Sequence, residues 1–275
     1  MFMTKIRTAL LLAVCLTAAV GCTPKSEQPA ASTGSNNELA TTPNAGERVA
    51  AEQVTVSRSL QFGKVNAAVY GVFKQSADIK VFEEAIKTAG KIEGILDISK
   101  PDYDIVIASG RSQRSVHLWL HPKSEIGMYT EVSDTGTGYR LTASSTEKLK
   151  KLIMEQRYSS DLAEKNGDVV NLHGKWSNAS KWKQFVNHVK DGTMDAVHVT
   201  SYTIEGDPIF QDLLFDGEKI EYTFDNTHDA FGSPIKPVSF CSAIETSKTA
   251  EGTEYRLAGC SGGESENPTF SLLMP

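Results

Sequence analysis

From residue 23 to residue 57 the chain runs through about 35 residues rich in Ser, Thr, Ala, Asn and Pro, with scarcely an aromatic or large aliphatic side chain. Such a composition cannot bury enough apolar surface to offset the entropy of ordering it. Residues 22–57 therefore read as a flexible linker, the coil spanning roughly 30 Å root-mean-square at ~5 Å per square root of residue number. The fold must be built by the roughly 218 residues that follow. That length exceeds the usual ~100–150 residues of one domain and predicts two. The polar stretch 156–168 offers the boundary, giving domains at 58–156 and 165–275.

The segment before the linker has a different character. Residues 1–7 carry Lys5 and Arg7 and no acid, and an apolar run of 13 residues follows at 8–20. This is the charged and apolar order of a secretory signal. The run is short of the ~20 residues needed to cross a bilayer as a helix. Ala19, Val20 and Gly21 lead into Cys22, a pattern that resembles the lipobox of bacterial lipoproteins, although Leu more often stands where Ala19 does. The resemblance implies a signal peptide at 1–21, a diacylglyceryl group on Cys22, and a chain anchored in the cell membrane on its extracytoplasmic face. Two acyl chains give stable anchoring, since each buried CH₂ contributes ~0.8 kcal/mol and one chain binds only reversibly.

Taking the two positive charges of the leader from the whole-chain value of −6 leaves −8. An acidic chain of this kind is a poor partner for nucleic acid and has no polybasic cluster for anionic headgroups. Of the four cysteines, Cys15 falls in the leader and Cys22 is assigned to lipid. Cys241 and Cys260 remain, and in an exported domain they read as one disulfide. Closing that loop contributes ~3 kcal/mol through the unfolded chain. A metal or redox pair would need further ligands or a CxxC spacing, and neither is present.

Periodicity predicts an α+β fold in which each domain packs helices on an antiparallel sheet. In the first domain, Ile79, Phe82, Ile86 and Ala89 recur at helical spacing, with Gly90 placed to end the helix in a left-handed conformation. Strands are expected at 104–109, 115–121, 126–132 and 139–142. A second helix is expected from Ser144, capped by the Ser144–Glu147 box, with Leu149, Leu152 and Ile153 on its apolar stripe. In the second domain a strand at 169–173 precedes a helix from about Asn178, with Trp182, Phe185, Val186 and Val189 on one face and Gly192 at its end. Strands follow at 195–203, 209–215, 219–224, 238–245 and 254–258. Asp216-Gly217 marks a hairpin turn. The similar order of elements raises duplication as a hypothesis.

Four motifs carry candidate chemistry. Asp134-Thr135-Gly136 matches the aspartic-protease triplet, but it occurs once and its polar flanks suit a hairpin turn better. His117, Trp119 and His121 alternate along one strand, which sets the two histidines ~13 Å apart, too far for one ion. His188 falls on a polar helix flank, and His173 and His198 fall in strands with no evident carboxylate partner. Asp225, Asn226 and Asp229, in the run 225–229, could offer oxygens to Ca²⁺, yet the EF-hand order is missing and Asx-type turns use the same residues. No nucleophile elbow, HExxH, phosphate loop or dinucleotide fingerprint occurs, and no cofactor is implied.

Met128-Tyr129-Thr130-Glu131 and the helix sequence SSTEKLKKLI make the first domain similar to the YhfM-like domain of Bacillus-type (Firmicutes) lipoproteins. Tyr202 to Ile209, Leu213 to Gly217 and Tyr222 to Asn226 make the second resemble an uncharacterised domain of the same Gram-positive group. The resemblance implies a cell-surface lipoprotein and brings no catalytic residue. The expected role is a non-enzymatic binding module in the envelope. Its partner is a protein, a glycan or a small ligand. An envelope hydrolase with an unrecognised site, or an inhibitor-like module, is the alternative.

Overall fold

The computed structural model describes residues 51–262 and 268–275. Cys22 and the expected signal peptide lie outside the described residues, as does most of the expected linker. The linker's end does not behave as one. Gln53–Arg58 forms strand β1, with Val54 and Val56 fully buried. The Val-x-Val alternation is a half-buried strand pattern, and it was hidden by its polar surroundings.

The first sheet is antiparallel throughout. It comprises β1, β2 (Val69–Phe73), β3 (Gly90–Lys91), β4 (Tyr103–Ser109), β5 (Ser112–Trp119), β6 (Met128–Glu131) and β7 (Asp134–Arg140), in the order β2-β1-β4-β5-β6-β7-β3. Helices α1 (Ser76–Lys87) and α2 (Ala143–Met154) pair with each other and bury Ile79, Phe82, Ala85, Leu149 and Ile153 in its core. Two helix ends differ from expectation. α1 stops on Thr88 in a right-handed conformation, and Gly90 opens β3 instead of capping the helix. α2 is capped by Thr142, whose hydroxyl accepts from the Ser145 amide at 3.1 Å; Ser144 already lies inside the helix. An oxygen two residues further upstream reaches the first free amides better than the expected box.

The expected boundary at 156–168 is also structured. It holds α3 (Ser160–Asn166), capped by the Ser159 hydroxyl and ended by Gly167 at φ 93°. Tyr158 and Ala163 are buried there. Both side chains pack in the first apolar cluster. Arg48–Pro275 is one compact unit, and Ala163, Val170, Tyr202 and Phe210 pack in the same apolar cluster as the first sheet.

The second sheet is mixed, not antiparallel. It comprises β8 (Val169–Leu172), β9 (Lys175–Ser177), β10 (Asp195–Tyr202), β11 (Pro208–Phe215), β12 (Ile220–Asp225) and β13 (Val238–Cys241), in the order β13-β12-β11-β10-β8-β9. β8 runs parallel to β10, which the crossover helix α4 (Ala179–Asp191) between them makes possible. His173 lies in the turn after β8 at φ 51°. The strand expected at 238–245 breaks at Ser242. Beyond it, β14 (Ala243–Thr249), β15 (Gly252–Ala258) and β16 (Ser271–Met274) form a third, three-stranded sheet. The Cys241–Cys260 disulfide joins the edge of the second sheet to this third one. The two large sheets differ in strand order and direction, so the halves are not copies of one topology.

Each face of the second sheet has a distinct burden. Val197, Val199, Leu213, Phe215, Ile220 and Tyr222 lie under α4, where Trp182 is enclosed by Phe185, Tyr255 and Phe270. The opposite face carries His198, Thr200, Tyr202, Phe210, Asp212, Thr223 and Asp225, following the strand registers. It meets the first sheet at Arg58. The guanidinium holds Asp212 with two bonds, 2.6 and 3.2 Å long, lies 3.5 Å from Asp225, and stacks 3.7 Å from the centre of the Phe210 ring. Removing one member of such a buried pair typically costs about 3–5 kcal/mol, because the other charge is left uncompensated.

His228 closes the same junction. Tyr70 donates its hydroxyl proton to the Gln156 carbonyl at 2.9 Å, so its oxygen accepts from His228 Nδ1; Nε2 then accepts from Tyr103, both contacts at 2.9 Å. The ring is surrounded by the aromatic rings of Tyr70, Tyr103 and Phe210. Burial pushes its pKa from 6.5 down to about 4, against the attraction of Asp225. Between these values the unfolded chain binds the extra proton and the folded chain does not. The contribution of His228 is complete above pH 6.5 and is lost as pH falls toward 4. Urea unfolding at pH 7 and pH 4.5 should show the wild type losing about 2 kcal/mol more than His228→Gln, at ~1.4 kcal/mol per pH unit. Equal losses would show that this ring is not held neutral.

Candidate functional site

Beside the Arg58 junction, residues of both large sheets line a cleft of about 540 Å³. One wall comes from the ends of the first sheet's strands and the loops beyond them, including Ser59, Leu60, Lys100, Asp102, Trp119 and Ile126. The other comes from the polar face of β11 and β12, through Asp212, Leu214, Glu221 and Thr223, and from Lys236, Val238 and Phe240. The volume is ordinary for a small-molecule site. Apolar side chains form most of the surface. Trp119 is fixed by its indole N–H, which donates to the Ser99 carbonyl at 2.8 Å, and its ring sits 6.0 Å from that of Phe62. The loop bearing Ser124 is tied down by Lys150, which donates to the carbonyls of Pro122 and Ser124.

The charges lining the cleft come in pairs. Lys100 bonds Glu221. Lys236 bonds Asp102 at 3.1 Å and lies 4.0 Å from Asp225, while the other Asp102 oxygen accepts from the Leu120 amide at 2.7 Å. Asp212 at the floor faces Arg58 and also accepts from His198 at 2.9 Å. Burial alone would raise the Asp212 carboxyl, but the charge of Arg58 and the bond from His198 outweigh it and hold the group well below the usual carboxylate range. The same contest lowers Asp225, where Lys236 and Arg58 prevail over burial. Asp168, deeper in the junction, goes the other way: burial raises it despite bonds from Thr200 and Tyr158.

The expected candidates lie elsewhere or serve the fold. Asp134 starts β7 in the β6–β7 hairpin, exposed, with its carboxylate accepting from the Gly136 amide at 3.1 Å. Asp225, Asn226 and Asp229 are consumed by turn bonds: Asp225 accepts from Thr227, Asn226 bridges Ser233 and Ile235, and Asp229 accepts from Phe231 and Gly232. Among the described residues no group of three His, Cys, Asp or Glu is placed to hold a metal.

The histidines depart from expectation at His173, which lies in a turn, and at His198. His198 does have a carboxylate partner, Asp212, which stands directly opposite it in the β10–β11 register. His188 has Asp195 at 2.8 Å. The fully buried His117 bonds Asp104, its cross-strand partner, at 2.7 Å through Nδ1 and accepts from the Gly63 amide through Nε2. Sequence reading passed over the cleft itself. Its residues come from six separate segments, and only Trp119 and His121 had drawn attention.

Among solved structures, a thioesterase-like protein from Clostridium sporogenes matches at 17% identity, with a TM-score of 0.32, over 37% of this chain and 93% of that one. No curated protein matches. Residues 52–159 match the model of a family described as YhfM protein, and residues 166–256 match that of a domain of unknown function, DUF4362. In that N-to-C order, this chain is similar to the YhfM family over its first half and to the DUF4362 domain over its second.

Proposed function

We propose that this chain is a lipid-anchored binding protein on the extracytoplasmic face of a Gram-positive cell membrane, and that it takes a small ligand in the cleft between its two large sheets. The cleft is the observation that carries the reading: it combines an ordinary ligand volume, apolar walls and a few fixed polar groups. The location rests on Cys22 and the leader alone.

The chemistry of the cleft favours binding over turnover. Asp212 is held ionised by Arg58 and so is a weak proton acceptor. Among the described residues no hydrogen bond joins a serine hydroxyl to His121, whose Nδ1 instead accepts from the Lys123 amide at 3.2 Å. A nucleophile and its base normally stand within hydrogen-bond reach of each other.

Leu214→Trp places a bulky ring in the apolar wall of the cleft and should fill it. In a thermal-shift screen of small amphipathic molecules, ligands should raise the melting temperature of the wild type and leave Leu214→Trp unmoved. Equal shifts in both proteins would locate binding elsewhere. For the anchor, Cys22→Ser should release the protein from membranes or leave it as uncleaved precursor on fractionation. A processed, membrane-bound variant would sink the lipoprotein reading.

A further inference from the structure

The ligand class follows from how the cleft is charged, given the binding reading above. Every lysine and carboxylate that lines it already faces an opposite charge: Lys100 faces Glu221, Lys236 faces Asp102, and Asp212 faces Arg58. A ligand bearing a net charge must either enter uncompensated or displace one member of a pair and strand the other. Both carry the cost of desolvating a charge without a partner. Leu60, Trp119, Ile126, Leu214, Val238 and Phe240 make up the apolar part of the lining, and Ser59, His121 and Thr223 are among the polar groups between them.

One polar group in the wall is idle. Ser59 is 6% exposed, and its hydroxyl is buried with no hydrogen-bond partner, an arrangement that is rare for a buried polar group. Rotating it about χ1 toward the cleft breaks no bond, so it offers a donor and an acceptor to an occupant. Its neighbour Leu60 begins the apolar wall.

We propose that the occupant is an uncharged amphiphile: an apolar chain or ring body lying along Trp119, Leu214 and Phe240, with one hydroxyl, carbonyl or amide end bonded to Ser59. The cleft's paired charges act as a filter against fatty acids and alkylamines of the same length. Removing one partner should convert the filter. Glu221→Gln leaves Lys100 unpaired and opens the cleft to an anion.

The protein is loaded with the neutral fluorescent dye N-phenyl-1-naphthylamine. The dye is then displaced at pH 7 with 1-decanol below its solubility limit, or with decanoate or decylammonium below their micellar concentrations. Decanol should displace the dye at a concentration at least tenfold lower than either ion. Ser59→Ala should weaken decanol about threefold to tenfold, and Glu221→Gln should improve decanoate at least fivefold. If either ion displaces the dye from the wild type as well as decanol does, the neutral-ligand inference is wrong while the cleft reading stands. Unchanged decanol displacement in Ser59→Ala overturns the hydroxyl anchor. If the dye fails to bind the wild type, or binds Leu214→Trp equally, the cleft reading itself fails and takes this inference with it.

Discussion

Arg58 is the residue on which the arrangement of this protein depends. It ends the first strand of the described fold, and from there it reaches across to Asp212 and Asp225 on the second sheet while stacking on Phe210. A guanidinium suits this position better than an ammonium, since its planar fork meets a carboxylate with two bonds and presents a flat face to an aromatic ring. A buried charge of this kind is costly unless its partners are well placed. The polar face of the second sheet is thereby matched to one place on the first. The sheets meet at Arg58, and residues of both line the cleft beside it. Asp212 belongs to both: it is the partner of Arg58 and the floor of the cavity.

How much of this was legible depended on whether the signal was local. The helix carrying Trp182, Phe185 and Val186, ended by Gly192, could be read from spacing because its apolar stripe and its glycine lie in one continuous segment. The Asp216-Gly217 hairpin and the Cys241–Cys260 bridge were equally visible, since a turn and a cysteine pair carry their own chemistry. β1 escaped because only Val54 and Val56 mark it, inside a polar stretch. α3 escaped because seven polar-rich residues bury little beyond Ala163. In both cases tertiary contact outweighs local composition.

The site was legible in a narrower sense. The Asp104–His117 pair could have been found by folding the hairpin about Gly110, which sets those two residues opposite each other. The His198–Asp212 pair follows likewise from the β10–β11 register. Arg58, Lys236 and Ser59 could not be found so, because their partners or their cavity come from the other half of the chain, up to 154 residues away. A cleft between sheets has no periodicity and no motif. It arises where two faces stop matching. The functional reading therefore joins a location argued from the leader, where sequence chemistry is specific, to a binding site argued from geometry, where it is silent.

The central claim is that the two halves form one cooperative body, since a cleft built from both exists only while they stay docked. Differential scanning calorimetry of residues 48–275 tests this directly. One transition with calorimetric and van't Hoff enthalpies in agreement is the expected result. Two separable transitions, or a calorimetric enthalpy well above the van't Hoff value, would mean that the halves unfold independently and that the Arg58 junction does not hold them together.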